Sequence, residues 1–438
     1  MQALLSFDQS PPLAAPLRFF LTAPLFAIAA GGVLIASGAD ALVSRWSPAV
    51  LAMTHLLAVG FMLNVMLGAL LQILPVVAGA NMHRPLRVAA SVHAAIALGT
   101  VCLAAAFLSY WPPLFVVAAL LLGVGGAYFV LTAVLAMRGL ASSNPTLAGI
   151  KHALAGLVVT LLLGFLMSSG LGLGIDLPLI ELADLHLGWG FMAWGVALLA
   201  AVAYVVVPMF QLTPAYPERF ARLFSITVLA ICTLWTLAAT LDYLGHEGWG
   251  RPVIWAAGGL LALAALFCGI TLAIQRRSKR ARFDATQHLW RIAMLCALVA
   301  CALWAAALLS PSVEQWEARA LVCGVLVLCG AFMSVIVGML YKIVPFLIWL
   351  HLQNRGQGAV AAPNMKKIIG ERDMERQCLA HVVSCALLLL AVLWPEAFAY
   401  PAGVALIAAN AWLLRNLLSA LRVLRAHMQK IEQASHVQ

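Results

Sequence analysis

The sequence predicts an all-α integral membrane protein, a bundle of about twelve membrane-spanning helices arranged as three four-helix repeats. Three observations predict it. The 438 residues are 64% hydrophobic and 10% charged, with a mean hydropathy of +1.00, far from the polar balance of a soluble domain. Apolar runs recur along the whole chain, each long enough to cross a roughly 30 Å hydrocarbon layer as a helix. Backbone amides in lipid need partners within the segment, and these Leu- and Ala-rich runs lack the two-residue alternation of an outer-membrane barrel.

In chain order the spans are read at 18–37, 48–76, 88–110, 113–138, 147–171, 182–208, 220–243, 252–276, 286–309, 317–345, 376–398 and 400–425. The first fifteen residues have no positive n-region, and no small-residue cleavage site closes the first span, so no removed signal peptide is expected. The segment 351–375, with Arg355, Lys366, Lys367 and Arg372, is read as a long cytoplasmic loop, and 426–438 as a C-terminal tail that extends the last helix.

The net charge of +10 raises nucleic acid as a partner, and the placement of the charge excludes it. Loops after the even spans carry His83-Arg84-Pro85-Leu86-Arg87, Glu218-Arg219, Arg276-Arg277-Ser278-Lys279-Arg280 with Arg282, and Lys366-Lys367. The opposite loops carry Asp176, Glu181, Asp184, Glu247, Glu314 and Glu317, and only Arg45, Arg251 and Arg319 among the basic residues. This positive-inside pattern predicts both termini in the cytoplasm, in a membrane of the bacterial inner type, with the lipid bilayer as first partner. The cysteines lie mostly inside spans and form no CxxC, so neither disulfides nor a zinc ribbon is indicated.

The threefold repeat is read at about 16–140, 147–280 and 286–425. The second span ends Ile73-Leu74-Pro75-Val76, the sixth Val206-Val207-Pro208-Met209 and the tenth Ile343-Val344-Pro345-Phe346, so the prolines are 133 and then 137 residues apart. Each of these spans also carries Gly and Phe upstream: Gly60-Phe61, Gly190-Phe191, and Gly330 with Phe332. A repeat of this kind implies quasi-symmetric packing with spans 2, 6 and 10 as equivalent inner members.

His55 and His186 sit near the outer ends of spans 2 and 6. An intramembrane histidine is costly and marks a candidate site, and neutral imidazole is a common metal and haem ligand. The alternative is a histidine that hydrogen-bonds a neighbouring helix. Asp184, Asp242, Tyr243, His246 and Cys323 gather at the same end of the chain's spans. His186, Asp242 and His246 make a candidate copper or zinc set, against ordinary loop residues in water. Toward the other face lie His93, His152, His288 and His381, an inner candidate site or histidines among head groups. Asn64, Gln72 and Ser168-Ser169 read as interhelical glue, and Lys342 as a side chain that snorkels to the interface.

On these residues the chain resembles the catalytic subunit of the haem–copper oxidases, nearest the cbb-type branch, and the NnrS-like membrane proteins of the nitrosative-stress response. The likeness rests on twelve spans with threefold pseudo-symmetry, on His186 followed by Gly190-Phe191 and Pro208, and on Tyr341-Lys342-Ile343-Val344-Pro345. It implies a b-type haem, with His55 as the low-spin ligand, and copper at His186. It also implies electrons from quinol or from a cytochrome or other respiratory subunit, since the chain has no CxxCH. The departures are specific: the family's His-x-His in the tenth span falls on Cys323 and Val325, and its His pair in the seventh on Asp242 and Tyr243. Oxygen reduction needs a five-coordinate haem facing a three-histidine copper, so an ordinary oxidase or nitric oxide reductase is not expected. The function implied is a degenerate relative that binds haem or copper, with His55, His186 and Cys323 as ligands, for electron transfer, nitric oxide or oxygen binding, or cofactor handling. Whether it is an enzyme, then an oxidoreductase, stays open. The alternatives are a cofactor-free transporter or channel and an accessory or assembly subunit of a respiratory complex.

Overall fold

A computed structural model describes residues 11–140, 144–356 and 360–435. Most of the stretch read for a leader, and the last residues of the C-terminal tail, lie outside them. Among the described residues twelve helices are long and apolar enough to span a membrane. They are α1 Ala14–Leu42, α2 Pro48–Ala78, α3 Pro85–Ser109, α4 Pro112–Ala136, α5 Pro145–Leu173, α6 Leu179–Gln211, α7 Glu218–Tyr243, α8 Gly250–Arg276, α9 Ala285–Leu309, α10 Arg319–Gly356, α11 Glu371–Leu393 and α12 Pro395–Ala434. No strand occurs among the described residues. The chain is an all-helical, multi-pass membrane protein.

Local chemistry sets the helix ends. Proline occupies the first turn of α2, α3, α4 and α5, where its missing N–H costs nothing. Asn144 caps α5 by accepting from the Thr146 amide at 2.9 Å, and Gly174, at φ +69°, closes its far end. The last carbonyls of α6 are taken by the segment after α8: Ser278 donates to Gln211 O at 2.6 Å, Arg280 to Phe210 O at 2.7 Å and the Lys279 amide to Leu212 O at 3.0 Å.

Two of the boundary differences from the sequence expectation fall at Pro345 and Pro395. The tenth helix does not stop at Pro345 but runs on to Gly356. A proline deletes one backbone bond, while Leu347, Ile348, Leu350 and Leu352 beyond it are buried and hold the helix together. The expected loop 351–375 is correspondingly shorter, and a one-turn helix, Met365–Ile368, stands in it. At the other end of the chain Pro395 opens α12, so α11 ends at Leu393 rather than 398.

The fold contacts divide into two units. In the first, 73–282 with 294–323, α3 packs on α4, α4 on α5, α5 on both α6 and α7, and α7 on α8. Gly156 of α5 lets the α6 backbone come so close that a Cβ there would stand 2.5 Å from the Ala193 carbonyl. In the second, 11–72 with 283–293 and 324–438, α1 packs on α2 and α12, α12 on α10 and α11, and α2 meets α10. Gly31 of α1 faces Gly403 of α12; a Cβ on either would lie 2.8 or 2.9 Å from the other's carbonyl oxygen.

Helices α2, α6 and α10 share a departure from α geometry. Each contains eight π-helical residues: Leu56–Leu63, Trp189–Val196 and Leu326–Met333. The Asn64 amide reaches back five residues to Val59 O, and the Ala197 amide to Met192 O. The segments begin at 56, 189 and 326, so 133 and then 137 residues separate them, the intervals of the three prolines. The Gly and Phe residues noted in each span fall inside them.

Candidate functional site

His55 is the last residue before the π-helical turn of α2 and is partly buried. Its Nδ1 lies 2.7 Å from Leu51 O. A carbonyl only accepts, so Nδ1 carries the proton and Nε2 the lone pair of the neutral ring. This orienting bond is the usual support of a ligand imidazole.

His186 has the same tautomer for a different reason. Its Nδ1 donates to Thr160 O of α5 at 3.0 Å, and Gly164 leaves room for its ring, since a Cβ there would touch His186 Cε1 at 3.0 Å. The imidazole is therefore seated in the groove between α5 and α6, which is the interhelical reading. Trp189, first residue of the π-helical turn, donates to Thr236 Oγ1 of α7 at 2.9 Å, tying the other side of α6.

The remaining sequence candidates scatter. Asp242 and His246 are exposed at the end of α7, where the Gly245 and His246 amides close the turn onto Asp242 O and Leu241 O. Cys323 is buried on α10. His152 bonds Ser225 Oγ of α7 at 2.9 Å, His93 is partly buried on α3, and His288 is exposed with its ring edge on Phe283. Among the described residues no three His, Cys, Asp or Glu side chains group so as to hold a metal ion. The copper set His186, Asp242 and His246 thus forms no such group within the first unit, and the inner set divides, with His93 and His152 in the first unit and His288 and His381 in the second; the His55 imidazole keeps the tautomer that a metal or haem ligand uses.

The second unit holds a polar centre that the sequence only partly announced. His381 of α11 is 1% exposed, and its Nε2 lies 2.9 Å from Ser334 Oγ of α10. Ser334 is the first residue after the π-helical turn and also lies 3.4 Å from Cys329 O within it. Asn64 holds the corresponding place on α2, with its Nδ2 donating to Gly60 O at 2.8 Å, so it bonds its own helix rather than a neighbour. Asn64 Oδ1 and Ser384 Oγ are buried without partners. One to two turns along, Tyr341 donates to Gln377 Oε1 at 3.0 Å and accepts from Asn416 Nδ2 at 3.0 Å, while Gln377 donates to Ala409 O at 3.1 Å. The signal available in the sequence was the stripe Asp373, Gln377, His381 and Ser384 at three- and four-residue steps on α11.

Beside it Lys342, expected to snorkel, donates to Asp284 Oδ2 at 2.6 Å. Burial raises the Asp284 carboxyl. The bonds from Lys342, Thr286 and the Gln287 amide outweigh it and hold the pKa at about 2.

Comparison with known proteins finds no family that matches this chain and no curated protein similar to it.

Proposed function

We propose that the protein is a haem-binding relative of the haem–copper oxidase subunit, with a b-type haem on His55, serving electron transfer, nitric oxide or oxygen binding, or cofactor handling. The observation that supports it is the Nδ1–H bond from His55 to Leu51 O at 2.7 Å, which leaves the lone pair on the nitrogen that iron takes. The placement of His55 at the start of a π-helical turn adds to this, because such turns recur at functional sites. A bound haem would supply reversible one-electron chemistry and a position for a diatomic gas. The chain's own part is to orient the imidazole and exclude water. Electrons come, on this reading, from quinol or a respiratory partner. On this reading the chain lies in a bacterial-type inner membrane with both termini in the cytoplasm, which the basic loops support.

The test is an optical spectrum of the full chain, oxidised and dithionite-reduced, with haem quantified in protein expressed with haem supplied. The expected result is a reduced b-type α-band near one haem per chain, lost in His55→Ala and kept in His186→Ala. Absence of haem from the wild type, or a full load in His55→Ala, overturns it.

A second reading, a cofactor-free transporter, is favoured by the buried polar pair His381 and Ser334, since intramembrane polar groups commonly line a pathway. Solute uptake by proteoliposomes that His381→Ala abolishes would select it.

A further inference from the structure

Arg319 opens α10, and its guanidinium carbon lies 4.8 Å from the centroid of the Trp304 ring on α9. Both residues belong to the first unit. Trp304 stands five residues before Leu309, the last residue of α9, which puts the ring roughly 7.5 Å inside that helix end at 1.5 Å per residue. An arginine at the end of a spanning helix ordinarily snorkels its head toward water. This one lies against an aromatic face within the span.

Stacking compensates one face of the cation and none of its in-plane N–H groups. Nε and Nη1 are shut off from solvent and have no hydrogen-bond partner. The helix dipole adds to the deficit, because Arg319 sits in the first turn of α10, where the dipole end is positive. Glu314 and Glu317, just upstream, are both exposed and leave those two nitrogens unbonded. A buried donor of a charged group left unpaired is costly, and these two nitrogens suit an anionic acceptor.

We propose that Arg319 and Trp304 form a binding site for a phosphate oxyanion at the membrane face where α9 ends and α10 begins. Guanidinium matches phosphate oxygens in geometry and charge. Tryptophan is enriched at the level of lipid head groups. Two sources present the same chemistry at this depth: the headgroup phosphate of an anionic phospholipid, and free phosphate from solution.

The experiment uses the full chain, delipidated in mild detergent. Native mass spectrometry counts phosphatidylglycerol and phosphatidylcholine adducts, and inorganic phosphate is titrated in parallel, read as the tryptophan-fluorescence change that Trp304→Phe removes. Arg319→Gln is expected to weaken binding about tenfold, the loss of one charge-assisted hydrogen bond, with Arg319→Lys in between. An Arg319-dependent preference for phosphatidylglycerol assigns the site to lipid, and an Arg319-dependent response to phosphate alone assigns it to a soluble anion. Equal binding by wild type and by an Arg319→Gln protein that melts normally overturns the proposal. So does binding that appears only in Glu317→Gln, which would make Glu317 the natural partner of Arg319.

Discussion

Asp284, one residue ahead of α9, grips Lys342 of α10 at 2.6 Å, with both side chains about four-fifths shielded from solvent (18% and 22% exposed). Its carboxyl is held at about 2, below the ordinary 3.8. A depressed carboxylate contributes stability above its unfolded value and loses it as the pH falls through the folded one. Asp284→Asn is therefore expected to lower stability by about 2 kcal/mol at neutral pH, a shift of this size converted at 1.36 kcal/mol per unit. The gap from wild type should close between pH 4 and pH 2. Melting in detergent across that range checks it, and a gap that stays constant refutes the pairing. Lys342→Met alone should cost more than the double variant, since it strands a partly buried carboxylate.

The close approach of α5 and α6 offers a sharper contrast. Gly156→Ala drives a methyl to 2.5 Å from the Ala193 carbonyl, which is backbone and cannot swing aside; a loss of about 1–3 kcal/mol is expected. Gly32 on α1 has open space around it. Gly32→Ala should leave stability unchanged or raise it by up to about 1 kcal/mol, the helix propensity gained. Equal melting temperatures for the two variants would mean that the α5–α6 contact is looser than described.

Ser334→Ala removes the hydroxyl 2.9 Å from His381 Nε2. That buried nitrogen then keeps only the Cys385 Sγ contact at 3.7 Å, a loss expected to cost about 1 kcal/mol, and the His381 ring signals in nitrogen-15 spectra should shift. Deleting Leu328 takes the extra residue out of the π-helical turn and restores α geometry there, so Ser334 is expected to keep facing His381 and the His381 signals to stay close to wild type. Unshifted His381 signals in Ser334→Ala would refute the contact.

The basic loops predict sidedness. A reporter that is active only in the cytoplasm is expected to work when fused after Ser435, and to fail when inserted after Glu247. The reverse result would invert the proposed orientation and move His55 to the cytoplasmic half of the membrane.

Much of the fold was legible because a bilayer imposes a requirement on composition: all twelve spans follow from run length and hydropathy. Helix ends were less legible, since Pro345 reads as a stop in sequence while the buried Leu347, Ile348, Leu350 and Leu352 carry the helix past it. The site was legible only as a set of residue types. His55 and His186 look alike in sequence, yet one bonds its own helix and the other is seated on α5. Lys342 gave no hint of Asp284, which stands 58 residues away. Ser334, Gln377 and Asn416 escaped notice because single polar residues in apolar spans announce neither their depth nor their facing helix.

The π-helical turns also change how these helices are to be aligned. Such a turn amounts to an extra residue accommodated inside an α-helix, and one residue is about 100° of rotation. A helical wheel drawn continuously through α2, α6 or α10 is therefore out of phase beyond residues 63, 196 and 333. Any comparison that matches a relative lacking these turns without opening a one-residue gap there will pair lining positions with lipid-facing ones, and will report substituted ligands where the register alone has moved.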